Sequence, residues 1–208
     1  MNNSQYSTLN IQPASNIEHK CRQYYFPSIP MPLSPTSFPK CVFLDRDGVL
    51  NKELGDYLQK IEDLIIPDGV PEGLKMLKEA GFLLIVITNQ AGIAKGLYGQ
   101  ELVYAIHEKM QEASGGILDD LYFSPYHPDH SGKSLSRKPD SLLLEKAIAK
   151  YSIDTGHSWM IGDRSRDMAA GHKAGLRTVH VVNEDETSAG DYAAANLLEA
   201  AKIILKNN

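Results

Sequence analysis

The chain has 208 residues and only two cysteines, Cys21 and Cys41. Two are too few for a disulfide framework, so both thiols are expected to stay reduced, as in a cytoplasmic protein. Long apolar runs are also missing. The longest uninterrupted one, "FLLIVI", is far short of a membrane span, which excludes a membrane-crossing helix. The first residues, "MNNSQYSTLN", carry neither a basic start nor an apolar stretch, so no secretory signal is expected. No basic block occurs, and the formal net charge is −5. That balance argues against nucleic acid as a partner and against broad capture of anions, so any anion site must be local.

What is present is ordinary globular material, 42% hydrophobic and 23% charged residues, enough for a sizeable core. Residues 1–39 differ from the rest. They begin polar and then carry Pro27, Pro30, Pro32, Pro35 and Pro39, a density that prevents regular helix and central strand. This Pro-rich extension is expected to be partly extended or disordered. Its aromatics, Tyr24, Tyr25, Phe26 and Phe38, could instead pin it across the domain or against a second subunit. The domain proper is expected to span 40–208.

From residue 41 the pattern alternates. "CVFL" reads as a short strand buried on both faces. "DGVPEGLKMLKEAG" reads as a helix, with Asp68 as candidate cap, Pro71 in its first turn and Gly81 after its end. "FLLIVIT", "ILDDLYFSP", "SWMIG" and "RTVHVV" read as further strands. "GQELVYAIHEKMQEAS", "DSLLLEKAIAKYS" and "SRDMAAGHKAG" read as helices between them, and "AGDYAAANLLEAAKIILKN" as one closing helix. Repeated β-then-α units imply an α/β fold: a doubly wound, Rossmann-like parallel sheet in a three-layer α/β/α arrangement.

In such sheets ligands bind beyond the carboxyl ends of the strands, and the out-of-place polar residues cluster there. Asp45 and Asp47 end the first strand. Thr88, Asn89 and Gln90 end the second. Arg137 and Lys138 lie in the loop after the third. Asp163, Arg164 and Asp167 follow "SWMIG". One Asp alone could be a helix cap, but four clusters at equivalent places describe a single site. Three converging carboxylates, Asp45, Asp47 and Asp163, call for a cation, and an all-oxygen set suits Mg²⁺. Lys138, Arg137 and the Thr88 hydroxyl supply groups that hold anions. Metal, lysine and hydroxyl together describe a phosphate cradle. Asp45 and Asp47 share a side of an extended segment, so one can attack phosphorus while the other handles a proton at the leaving oxygen.

These residues, in this order, resemble the haloacid dehalogenase (HAD) superfamily of phosphotransferases. "DRDGVLN" looks like its first motif, "ITNQ" its second, "RKP" its third and "IGDRSRDMAAG" its fourth. The resemblance implies a nucleophilic Asp45 and an Asp47 that acts as general acid, then base. It implies Thr88 and Lys138 on the transferring phosphoryl group. Mg²⁺ would be held by Asp45, Asp163 and the Asp47 backbone carbonyl, and Asp167 would orient Lys138 or the metal's waters. The spacing between motifs leaves no room for a cap domain. "FLDRDGVLN", "VITNQAGIAKG", "YFSPYHPDH" and "SRKPD" resemble the heptose bisphosphate and histidinol-phosphate phosphatases. That likeness implies substrate contacts from Arg137, Asn89, Gln90 and Arg164, with Tyr57 on a loop closing over a sugar. It implies a small phosphorylated metabolite as partner, and the protein is expected to act as a monomer or weak homo-oligomer.

One departure stands out. Many members hold a structural Zn²⁺ through a Cys-x-His and a Cys-x-Cys pair before the third motif. Here those positions are Ser124, Tyr126, Ser134 and Ser136, none a good zinc ligand. No structural zinc is expected, and the loop must be held by other contacts or be mobile. Gly92 and Gly96 could cradle a phosphate or serve the loop alone. His127 and His130 lie near the expected entrance, His172 reads as a surface or core residue, and Trp159 as core. A receiver-type, phospho-accepting signalling domain would share the acidic site, the hydroxyl and the lysine, but it lacks an acid two residues after its acceptor.

Overall fold

A computed structural model of the protein describes residues 38–182 and 186–208. The expectations for the aromatics before residue 38 lie outside the described residues. Phe38 is described and is 64% exposed, so it is not packed on the domain.

Six parallel strands form one sheet in the order β3-β2-β1-β4-β5-β6. They are β1 (Cys41–Leu44), β2 (Leu83–Asn89), β3 (Asp120–Ser124), β4 (Trp159–Gly162), β5 (Arg177–Val181) and β6 (Tyr192–Ala194). Strand β1 has no exposed residue because β2 and β4 flank it and helices cover both faces. Alternation divides its side chains. Val42 and Leu44 join a core built with α1 (Val70–Glu79), α2 (Gln100–Ser114) and α6 (Leu197–Lys206). Cys41 and Phe43 join the opposite core with α4 (Leu142–Tyr151) and α5 (Ser165–Lys173). A four-residue α3 (Pro128–Ser131) interrupts the loop before α4. This is the three-layer architecture that the alternating pattern implies. No inserted domain separates β1 from β2 or β2 from β3.

The structure corrects two local expectations. Helix α1 is not capped by Asp68. Gly69, at φ 84°, occupies the N-cap position, and Pro71 sits in the first turn. The closing helix is also shorter than the sequence suggests. Tyr192–Ala194 pairs with Val179–Val181 as an edge strand, and the Tyr192 ring packs 5.5 Å from Trp159. Asn196 then starts α6, its side chain accepting a hydrogen bond from Glu199 N at 3.0 Å. The alanine-rich run hid a short strand and a cap that breaks it.

The chain leaves β1 in opposite directions: β2 lies on one side of it and β4 on the other. Such a switch point opens a crevice beyond the strand ends. Residues following β1 and β4 meet there.

Candidate active site

Asp45 continues β1 and is 3% exposed. Its Oδ1 takes a hydrogen bond from Arg46 N at 2.7 Å and pairs with Lys138 Nζ at 2.9 Å. The same ammonium lies 2.8 Å from Asp167 Oδ1 and donates to the Ile87 carbonyl at 2.6 Å. One hydrogen bond to a main-chain carbonyl and two close carboxylates thus surround the ammonium, the paired setting that burial of a lysine requires. Burial would lower the Lys138 pKa, but the Asp167 and Asp45 charges outweigh it and hold it above its ordinary value. Burial, with the Asp167 and Asp47 charges, pushes the Asp45 carboxyl up to about 7 against the pull of Lys138.

Asn89 fixes the lysine from behind. Its Nδ2 donates to the Lys138 carbonyl and its Oδ1 accepts from Lys138 N, both at 3.0 Å. The side chain expected to contact substrate is engaged with the main chain that aims Lys138. Asp167 also serves α5, where its Oδ2 accepts from Arg164 N at 3.0 Å. The carboxylate comes this close to β4 because residue 162 is glycine, where a Cβ would overlap the Asp167 side chain.

Asp163, after β4, completes the acidic group. Single carboxylate oxygens of Asp45, Asp163 and Asp167 lie within 4.8 Å of one another. Asp163 Oδ1 is buried with no hydrogen-bond partner. Burial, then the Asp167 charge, lifts the Asp163 carboxyl to about 6, with Arg164 and Arg166 opposing. Converging all-oxygen donors, one of them orphaned, fit a hard divalent cation.

The Asp47 side chain is 29% exposed, unlike that of Asp45 at 4%. It turns away from the acidic group into a basket of donors. Arg46 Nη2 reaches Oδ1 at 2.8 Å and Oδ2 at 3.0 Å, Asn51 Nδ2 donates to Oδ1 at 3.1 Å, and Gln90 Nε2 to Oδ2 at 2.9 Å. Gln90 is itself held, its Nε2 donating to Thr88 Oγ1 at 3.0 Å and its Oε1 accepting from Tyr98 OH at 2.7 Å. Gly92 is needed for this, since a Cβ there would overlap the Tyr98 ring. Arg46, Asn51 and Tyr98 were not singled out from the sequence. Arg46 is the residue between the two aspartates; an extended strand would point it to the far side, but the chain turns at 46, whose carbonyl accepts from the amides of Val49, Leu50 and Asn51.

A cavity of about 400 Å³ opens beside Asp47, lined also by Tyr57, Asn89, Gln90, Arg164 and Arg166. Tyr57 lies under Lys95, whose Nζ is 5.0 Å from the ring centroid. Arg164 pairs with Asp163 at 3.0 Å and with Glu53 at 3.6 Å. Arg137 approaches from the loop before α4, donating to the Tyr126 carbonyl at 3.2 Å.

That loop carries a hydroxyl chain. Ser136 Oγ lies 3.0 Å from Ser124 Oγ and 2.9 Å from Ser134 Oγ. His127 caps α3, its Nδ1 accepting from Asp129 N at 3.2 Å. His172, on α5, lies against Asp191 and Thr178, and Trp159 is fully buried.

A family model described as HAD-hydrolase-like matches residues 135–204. The D-glycero-alpha-D-manno-heptose-1,7-bisphosphate 7-phosphatase of Photorhabdus laumondii is 37% identical over 180 residues, 79% of this chain and 96% of that protein. The D-glycero-beta-D-manno-heptose-1,7-bisphosphate 7-phosphatase of Haemophilus ducreyi is 38% identical over 147 residues, 67% of this chain and 80% of that protein. The crystal structure of the D,D-heptose 1,7-bisphosphate phosphatase of B. bronchiseptica, complexed with magnesium and phosphate, aligns with a TM-score of 0.73 at 26% identity, covering 81% of this chain and 99% of that one. The chain is a phosphoric monoester hydrolase with a HAD-like fold, and it belongs to the heptose bisphosphate phosphatase family of the HAD superfamily.

Proposed function

We propose that the protein removes the 7-phosphate of D-glycero-D-manno-heptose 1,7-bisphosphate, with Mg²⁺ as its cofactor. The observation that carries this is the pairing of buried Asp45, faced by Lys138 and Asp163, with an accessible Asp47 at the mouth of a cavity. The names of the relatives supply the sugar.

Asp45 attacks phosphorus. Its Oδ1 is committed to Lys138 and the Arg46 amide, so Oδ2 is the oxygen that forms the new P–O bond. The bond from phosphorus to the sugar oxygen breaks, and Asp47 gives that oxygen a proton. Water then attacks the aspartyl-phosphate and passes a proton to Asp47. The P–O bond to Asp45 breaks, leaving inorganic phosphate and the regenerated carboxylate. Lys138, fixed by Asp167 and Asn89, stabilises charge on the transferring phosphoryl oxygens, and the Thr88 hydroxyl is placed to do the same. Asp45, Asp163 and the residue 47 carbonyl would hold Mg²⁺, which when bound neutralises charge on the carboxylates and the phosphoryl group. Arg46, Asn51 and Gln90 hold Asp47. Tyr57, Arg137 and Arg164 face the sugar.

The serine chain supports a loop held without zinc, and stoichiometric zinc in protein purified without added metal would overturn that part. No described helix is long and apolar enough to cross a membrane, and Cys41 is a free, buried thiol. The free thiol supports a reducing, cytoplasmic setting, and the net charge of −5 supports a small phosphorylated metabolite rather than nucleic acid as partner; a monomer or weak homo-oligomer is proposed.

The test is phosphate release with Mg²⁺, comparing both anomers of the heptose bisphosphate with histidinol phosphate and hexose phosphates by kcat/KM. A preference of several hundredfold for a heptose bisphosphate is expected. A flat profile, or a preference for histidinol phosphate, would overturn the substrate. Asp45→Asn is expected to lower kcat by several powers of ten, and substantial residual turnover would refute the aspartyl-phosphate route.

A further inference from the structure

The Gln90 amide joins two halves of the site. One N–H goes to Asp47 Oδ2 at 2.9 Å and the other to Thr88 Oγ1 at 3.0 Å. Its oxygen accepts from Tyr98 OH at 2.7 Å. A side-chain amide has donors at one end and an acceptor at the other, and its shape alone does not say which end faces which neighbour. The partners decide it here. An ionised Asp47 can only accept, and Tyr98 has a proton to give. Burial first, with Arg46 opposing, pushes the Tyr98 hydroxyl up to about 12, so it keeps that proton at neutral pH.

The contact with Thr88 sets the direction of a second proton. A hydroxyl oxygen that accepts from Gln90 keeps its own O–H for another acceptor. Thr88 is buried, and no acceptor for that proton is present among the described residues. The phosphoryl oxygen beside Asp45 is the group it is free to meet. Gln90 is buried as well, and its main chain is pinned: N donates to the Ser124 carbonyl at 2.7 Å, and the carbonyl accepts from Ile93 N at 3.2 Å. Only the end of the side chain can turn, and that is the end Tyr98 holds. The Tyr98 ring is seated over Gly92 and lies 6.3 Å from the Tyr57 ring.

We propose that Tyr98 is a positioning residue whose hydroxyl fixes the Gln90 amide, which in that one setting aims Asp47 and leaves the Thr88 hydroxyl free to donate to the transferring phosphoryl group. This rests on the phosphatase reading and adds the residue that keeps the acid–base group and the phosphoryl-holding group in register. Tyr98 touches no reacting atom. Without its hydroxyl, Gln90 Oε1 is left buried with no donor, which is costly. The cost is relieved when the amide swings into the adjoining cavity, which Gln90 already lines. That movement withdraws both N–H groups together, so the loss falls on kcat more than on KM.

The experiment measures kcat and KM for phosphate release from heptose 1,7-bisphosphate with Mg²⁺ in wild type, Tyr98→Phe, Gln90→Ala and the double variant. Tyr98→Phe removes one oxygen and keeps the ring against Gly92 and Tyr57. Its kcat is expected to fall about tenfold, the worth of one hydrogen bond, with little change in KM. In the Gln90→Ala background the same substitution is expected to change kcat by less than about twofold, because a residue that acts through Gln90 has nothing left to act through. Gln90→Met, which keeps the volume, replaces Gln90→Ala if thermal melts show that variant unfolded. A Tyr98→Phe enzyme with wild-type kcat overturns the assignment. So does an equal loss with and without Gln90, which would make Tyr98 a packing residue only. Either result leaves the phosphatase reading standing. A wild type inactive on the heptose bisphosphate overturns that substrate instead, and the same cycle on the phosphate ester it does hydrolyse still decides the role of Tyr98.

Discussion

Gly48 and Asp163 occupy the same space in turn: a Cβ on residue 48 would overlap the Asp163 carboxylate. Gly48 also sits at φ 82°, where a side chain is strained. The turn after β1 and the acid after β4 are thus packed backbone against carboxylate, and this contact sets where Asp163 points. Gly48→Ala is expected to push Asp163 out of the acidic group, raise the Mg²⁺ concentration needed for half-maximal rate at least tenfold, and cost about 1–3 kcal/mol of stability. Magnesium titration of the rate, with thermal melts alongside, measures both. An unchanged magnesium requirement would show that the packing does not position the ligand.

The acidic group makes a prediction about pH. Without a cation, burial and mutual repulsion raise Asp45 to about 7 and Asp163 to about 6. A carboxyl whose folded pKa is raised binds its proton more tightly in the folded state. Its stabilising contribution is complete below the unfolded value and is lost as pH rises through the folded value. The metal-free protein should therefore lose stability from these groups between about pH 4 and pH 7.5. Mg²⁺ reverses the sign of the burden by favouring the ionised forms. The rise in Tm on adding Mg²⁺ should be larger at pH 8 than at pH 5.5, and Mg²⁺ affinity should weaken on acidification through pH 7 to 6. Equal Tm increments at both pH values would refute this linkage.

Lys138 is 2% exposed between two buried carboxylates. Lys138→Met keeps most of the unbranched stem, one atom shorter, and removes the charge, leaving Asp45 and Asp167 buried against each other. Breaking a buried ion pair by removing one partner costs about 3–5 kcal/mol, so the variant is expected to melt far below wild type in neutral buffer and to be inactive. Since the loss comes from facing negative charges, melts at acid pH should narrow the gap. A Lys138→Met protein as stable as wild type at pH 8 would mean that the two acids share a proton instead.

The sequence reveals the layers of this fold because periodicity is local. Four buried residues in "CVFL" and leucines a helical turn apart need no tertiary information. The convergence of Asp45, Asp163 and Lys138 is legible for a related reason, since strand ends of a parallel sheet meet on one edge. What escapes is the direction of each polar side chain. Asn89 and Gln90 could as well have faced a ligand; only the fold shows them engaged with Lys138 and Asp47. Arg46 escapes because a turn, not a strand, governs it. Strand β6 escapes because three residues in an alanine-rich run carry too little pattern to compete with a helix.

Serine hydroxyls tie the loop before α4 to the sheet. Ser136 is the middle of the chain Ser124–Ser136–Ser134, and its main-chain N–H also turns back to Ser134 Oγ at 3.3 Å. Ser124 ends β3 and is fully buried, so the chain ties a mobile-length loop to the sheet. Ser136→Ala removes both hydroxyl contacts and leaves the buried Ser124 hydroxyl without its partner, at about 1–3 kcal/mol. The residue directly precedes Arg137 and Lys138, so the loosening reaches the site. Amide exchange over residues 125–137 should quicken in the variant while α1 and α6 stay protected, and KM should rise more than kcat falls. If exchange in the loop were unchanged, the hydroxyl chain would be incidental and the His127 cap with the Arg137–Tyr126 contact would suffice to hold it.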